Sequence, residues 1–170
     1  MERKIILLIV IGLLLIIQGC YETSLELNFN EEGFTPVKIR IEGGTYAGSD
    51  DISFTYWQIK SAIPEVSKNY WTTKERRTIV LERKEPINVQ DLDWVELTEK
   101  NGVFEFIGTF PKIIDSPSDS DDIFLILTVT LPKEIDMANT TNVDGNKAVW
   151  VLRKRDVHRA QTLRAFTVSD

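Results

Sequence analysis

Few residues in this 170-residue chain have the chemistry for catalysis: it holds one cysteine, Cys20, and one histidine, His158. A single histidine leaves little from which to build a nucleophile–base pair. The sequence contains no G-x-S-x-G elbow, no H-E-x-x-H, no Walker loop and no dinucleotide fingerprint. Paired carboxylates remain open, because glycosidase acids need no local motif. The densest acidic run, Asp115-Ser-Pro-Ser-Asp119-Ser-Asp121-Asp122, is rich in oxygen ligands. An EF-hand loop counted from Asp115 would need Gly at its sixth position and Glu at its twelfth, where Ser120 and Ile126 stand. A solvated loop is the expectation. Arg153, Lys154, Arg155, Arg159 and Arg164 form a basic cluster, read either as the polar tip of a hairpin or as a face for anionic headgroups. The net charge of −6 disfavours nucleic acid as a partner, since phosphate binding depends on an excess of Lys and Arg. No catalytic residue, cofactor site or metal site is assigned.

Cys20 is best explained by what precedes it. Arg3 and Lys4 are followed by Ile5–Ile17, a run without a polar side chain. A charged start and an apolar stretch of about 7–15 residues are the parts of a secretory signal. A membrane span needs about 20 apolar residues, and Gln18 interrupts too early for that. Ile17-Gln18-Gly19-Cys20 resembles a lipobox, the sequence at which a bacterial lipoprotein is cleaved and acylated, with Gln18 a less usual occupant of its tolerant position. The expectation is a signal peptide over 1–19, a lipid on Cys20, and one extracytoplasmic domain over 20–170. Acylation also blocks the thiol, which removes a Cys–His pair. Two or more acyl chains, at about 0.8 kcal/mol per buried methylene, hold a protein on a bilayer essentially permanently. The alternative is an uncleaved signal anchor with an incidental cysteine. Cell membrane and outer membrane are not distinguished.

The elements that position these residues follow from periodicity. Leu25, Leu27 and Phe29 alternate with polar neighbours, as do Val37, Ile39 and Ile41, and Glu31-Glu32-Gly33 lies between them. That pattern predicts an antiparallel hairpin. Ile52, Tyr56, Ile59, Ile63, Val66 and Tyr70 fall three or four apart, which favours a helix within Asp50–Trp71, with a kink or break at Pro64. The alternation of Ile52, Phe54 and Tyr56 leaves a strand open there. Tyr56, Trp57, Tyr70 and Trp71 either pack as core or line a groove for an amphiphile or glycan. Strands are predicted at Thr78–Leu81, around Trp94–Thr98, at Val103–Phe110 after an Asn101-Gly102 turn, at Ile123–Leu131, at Lys147–Leu152 and at Leu163–Val168. Ile123–Leu131 reads as a central strand covered on both faces. The C-terminal half is expected to hold the core, with Phe124, Ile126, Trp150 and Leu152 buried. Together these predict an α+β fold: an antiparallel sheet packed by one helix.

From Ile123 onward the order of features is more specific. A strand ends at Leu131-Pro132, a polar loop carries Asn139 and Asn142, Asp144-Gly145-Asn146 turns, and Ala148–Leu152 forms a strand around Trp150. This resembles the end of the LppM-type lipoprotein domain over roughly the last 45 residues, while the middle from Gly48 to Lys112 has no such pattern. The resemblance implies a membrane-anchored, extracytoplasmic domain of sheet and helix with no established enzymatic activity. The resulting expectation is a non-enzymatic binding domain for an amphiphile, a glycan or an envelope protein. A carboxylate-dependent hydrolase and a structural spacer of the envelope are the competing readings.

Overall fold

The computed structural model describes residues 21–43, 49–64, 70–75, 78–115 and 117–169. The expected signal peptide and Cys20 lie outside the described residues. The strands are β1 (Tyr21–Asn28), β2 (Phe34–Thr35), β3 (Val37–Gly43), β4 (Tyr70–Glu75), β5 (Thr78–Arg83), β6 (Ile87–Asn88), β7 (Val95–Lys100) and β8 (Val103–Phe110). They continue with β9 (Ile123–Thr130), β10 (Ile135–Ala138), β11 (Asn142–Asp144), β12 (Lys147–Arg153) and β13 (Gln161–Thr167). Among the described residues there is one α-helix, α1 (Ser49–Ala62), and a short 3-10 turn at Val89–Asp91.

The architecture corrects the α+β expectation: the chain is predominantly β, with strands in three sheets and a single 14-residue helix among the described residues. The large sheet runs β11-β12-β9-β1-β3-β5-β4, the second β10-β13-β8-β7, and β2 pairs with β6. The physical reason is that the two larger sheets bury each other. The inner face of the large sheet carries Leu25 and Leu27, Leu127 and Val129, and Ala148 and Trp150. Phe106, Phe110, Leu163 and Ala165 of the second sheet join the same core. Phe106 meets Trp150 at 5.9 Å between ring centroids and Phe29 at 6.0 Å. The helix is left with only the remaining part of the large sheet, over β3 and β5.

The core therefore draws on both halves of the chain, from Leu25 to Ala165, and is not confined to the C-terminal half. Phe124, Trp150 and Leu152 are buried as expected, but Ile126 is only half-buried. Ile126 points to the outer face of β9, which no layer covers among the described residues, so that strand is not sheathed on both sides. The sheet is also not wholly antiparallel: β9 lies parallel to β1, with Leu25 opposite Leu127.

Local chemistry explains the turns and the helix end. β1 and β3 pair antiparallel, Leu25 opposite Ile39, with Gly33 at φ +78° in the connection. Asn101 and Gly102, both at positive φ, join β7 to β8 in the manner of a type I′ turn. In α1, Ile63 N–H donates to Ile59 C=O at 3.0 Å, and Pro64, without an N–H, cannot continue the ladder. The α-helix ends at Ala62, residues 65–69 lie outside the described residues, and Tyr70, the last residue of the stripe, opens the edge strand β4 (Tyr70–Glu75).

Register brings four chain positions to one end of the large sheet. Tyr21 at the start of β1 pairs with Gly43 at the end of β3, and Ile123 at the start of β9 pairs with Arg153 at the end of β12. The segment before β9, the turn after β12, and α1 all meet at this end.

Candidate ligand cleft

A cleft opens between α1 and the segment that precedes β9. Its inner part, about 260 Å³, is lined by Thr23, Phe54, Thr55, Gln58, Ile114, Ser118, Ile123, Phe124 and Lys154. An outer part of about 630 Å³ shares Phe54, Gln58 and Ile114 and adds Trp57, Ser61, Ala62, Lys112, Ile113 and Asp115. Small-molecule sites commonly occupy about 300–1,000 Å³, with apolar walls and a few placed polar groups. Phe124 reaches the cleft through a bulge. Leu152 opposes Leu125 and Arg153 opposes Ile123, so Phe124 is the extra residue and is buried although its neighbour Leu125 is buried too.

Thr23 is the distinctive polar group. Three threonines are buried among the described residues: Thr23, Thr35 and Thr167. Thr35 Oγ1 accepts from Asn28 N–H at 2.7 Å and donates to Pro36 C=O, and Thr167 Oγ1 accepts from Phe104 N–H at 2.8 Å. Thr23 Oγ1 has no hydrogen-bond partner. A buried hydroxyl left unpaired costs about 1–3 kcal/mol, so Thr23 is a polar group of the cleft lining whose hydrogen bond the fold does not supply, as Trp94 Nε1 and His158 Nδ1 are elsewhere.

The acidic run and the basic cluster, read separately in the sequence, come together and fix the cleft wall. Arg153 donates to Asp121 C=O, Lys154 N–H to Asp122 C=O at 2.9 Å, and Arg155 N–H to Ser120 C=O at 3.1 Å. Lys154 Nζ pairs with Asp122 at 3.0 Å, and Arg155 pairs with Asp121. The N–H groups of Ile113 and Ile114 both reach Val157 C=O. The hydrogen bond from Lys154, then that from Ser120, then the lysine's charge hold the Asp122 carboxyl below the usual carboxylate range. Lys112, 2.9 Å from Asp115, lowers that carboxyl in the same way. A general acid needs the opposite shift. Among the described residues no group of three or more His, Cys, Asp or Glu is placed to hold a metal ion.

The other sequence candidates scatter. Trp57 lines the outer cleft, Tyr56 packs half-buried against the core, and the side chains of Tyr70 and Trp71 lie outside the described residues. Trp150 is 5% exposed, packed at a tilt against Phe106 and bonded to Asn139, so it is a core anchor. His158 sits half-buried in the turn between β12 and β13, its Nδ1 without a partner. Arg159 and Arg164 are exposed. Thr23, Ile113, Ile114 and Ile123 were not singled out by sequence reading as cleft residues, because their meeting depends on β1 lying beside β9, a pairing about 100 residues apart.

No protein-family profile matches the chain, and no curated protein matches it in sequence. The structure is similar to the folded domain of the LppM protein of Mycobacterium tuberculosis, solved by NMR. The TM-score is 0.49 at 12% sequence identity, over 89% of this chain and 92% of that one.

Proposed function

We propose that the chain is a non-enzymatic envelope lipoprotein, cleaved before Cys20 and anchored through acyl chains on that cysteine, whose domain holds an amphiphile in the cleft beside α1. The anchor is supported by Arg3 and Lys4, the apolar run Ile5–Ile17, and Gly19-Cys20. The observation that carries the binding reading is the unpartnered hydroxyl of buried Thr23 among the apolar side chains of Phe54, Ile114, Ile123 and Phe124. An acyl chain fits such walls, and its polar end would find Thr23, Gln58 and Lys154.

Cells expressing the full chain can be fed a photoreactive, alkyne-tagged fatty acid and irradiated. Binding predicts cross-links on the peptides that hold Thr23 and Phe124, deep in the cleft, besides metabolic label on Cys20. Label confined to Cys20 would contradict the binding reading and leave the anchor intact.

A further inference from the structure

The end of the sheet that holds the cleft also presents two large aromatic side chains to solvent. Phe54 is 65% exposed and Trp57 58%. They stand three residues apart on α1 and so occupy one face of the helix. Both also line the outer cleft. Around them lie three lysines. Lys60 Nζ is 4.9 Å from the Trp57 ring centroid, Lys112 lines the outer cleft, and Lys154 lines the inner one. Lys112 and Lys154 are paired with Asp115 and Asp122, so the surroundings carry little net charge. Exposed aromatics with long amines beside them suit the boundary between lipid headgroups and acyl chains, where a ring is half-buried and an ammonium reaches water.

The position of this face relative to the chain selects the partner. Thr23 and Phe54 line the same cavity, and Thr23 is the third residue after Cys20. Three residues of chain span at most about 11 Å. On the reading of Cys20 as acylated, its lipid therefore enters the bilayer within that distance of the cleft. We infer that this end of the domain lies on the lipid surface, with Phe54 and Trp57 inserted at the headgroup boundary and the cleft mouth facing the bilayer. An amphiphile then passes between membrane and cleft without crossing water. Because two of the three lysines are paired with carboxylates and the third, Lys60, sits over the Trp57 ring, aromatic insertion holds the face down. Zwitterionic lipid suffices, and salt has little effect. The inference rests on the anchor reading.

Acylation occupies the chain's single thiol, so one introduced cysteine takes a spin label selectively. The full-length lipoprotein carrying Trp57→Cys, Phe54→Cys or, at the far end of the sheet, Asp144→Cys is labelled with a nitroxide and reconstituted in phosphatidylcholine vesicles. Intact mass is recorded on each sample. The inference predicts a several-fold higher ratio of oxygen to nickel-chelate accessibility at 54 and 57 than at 144, unchanged by added salt. Equal ratios at all three sites with Cys20 acylated would overturn the docking face and leave the anchor standing. An unacylated Cys20 would overturn the anchor, and the docking face with it.

Discussion

Trp150 Nε1–H donates to Asn139 Oδ1 at 2.9 Å, and the same oxygen accepts Arg164 N–H at 2.8 Å. Asn139 also donates from its Nδ2 to Thr162 C=O at 2.8 Å. One amide side chain thus ties the central indole of the large sheet to β13 of the second sheet. The indole ring packs at a tilt against Phe106, so Trp150 joins the two layers by packing and by a hydrogen bond.

Trp150→Ala should cost about 3–5 kcal/mol, the usual range for losing a buried aromatic. Trp150→Phe keeps an aromatic ring toward Phe106 and removes the indole N–H, so it should cost less. Asn139→Ala removes three hydrogen bonds, two of them exposed to water, and should cost about 0.5–1.5 kcal/mol. Denaturant unfolding of the three variants checks the ranking. An unchanged midpoint for Trp150→Ala would contradict the core assignment.

The hairpins were legible because each needs only local information. Gly33, Asn101-Gly102 and Gly145 sit at positive φ where the sequence places turns between alternating runs. The helix was legible as far as Ala62, and the stripe misled at Tyr70, where the helical spacing continues into what is the strand β4; Val66 lies outside the described residues. Non-local pairings left no mark. The side-by-side packing of β1 and β9 and the burial of β8 against β12 decide that the fold is two β layers, and neither is written in any window of sequence. The same holds for the cleft. The acidic segment and the basic turn were each visible as charge runs, but they pair because β9 and β12 are neighbours, which brings Asp121 and Asp122 to Arg155 and Lys154.

Thr23→Val removes the unpartnered hydroxyl at nearly constant volume. The free protein should be unchanged or slightly more stable, because no hydrogen bond is lost and a buried polar atom disappears. Cross-linking of a tagged fatty acid at Phe124 should fall. A clear loss of stability would show that the hydroxyl is satisfied in solution, and the strongest mark of the cleft would be gone.

Acid should release the cleft wall before it touches the core. The carboxyl of Asp122 is lowered in the folded state, so its contribution is present above the ordinary carboxylate range and is lost as pH falls through the lowered value. An exposed pair contributes roughly 0–1 kcal/mol, so the effect is local. Amide exchange at Lys154 and Arg155, corrected for its intrinsic pH dependence, should accelerate only as pH falls below the ordinary carboxylate range, and in Asp122→Asn at neutral pH, while Leu127 stays protected. Exchange at Lys154 and Arg155 that is indifferent to both changes would mean the ion pair does not hold the wall.

The anchor on Cys20 is the premise on which the cleft's place at a membrane depends. Mass spectrometry of the mature protein recovered from membranes tests it most directly. The account predicts an N-terminal peptide that begins at Cys20 and carries a thioether-linked diacylglycerol, and Cys20→Ser should abolish both the modification and cleavage at that bond. A mature chain that begins at any other residue, or a membrane-bound chain with a free Cys20 thiol, would contradict it.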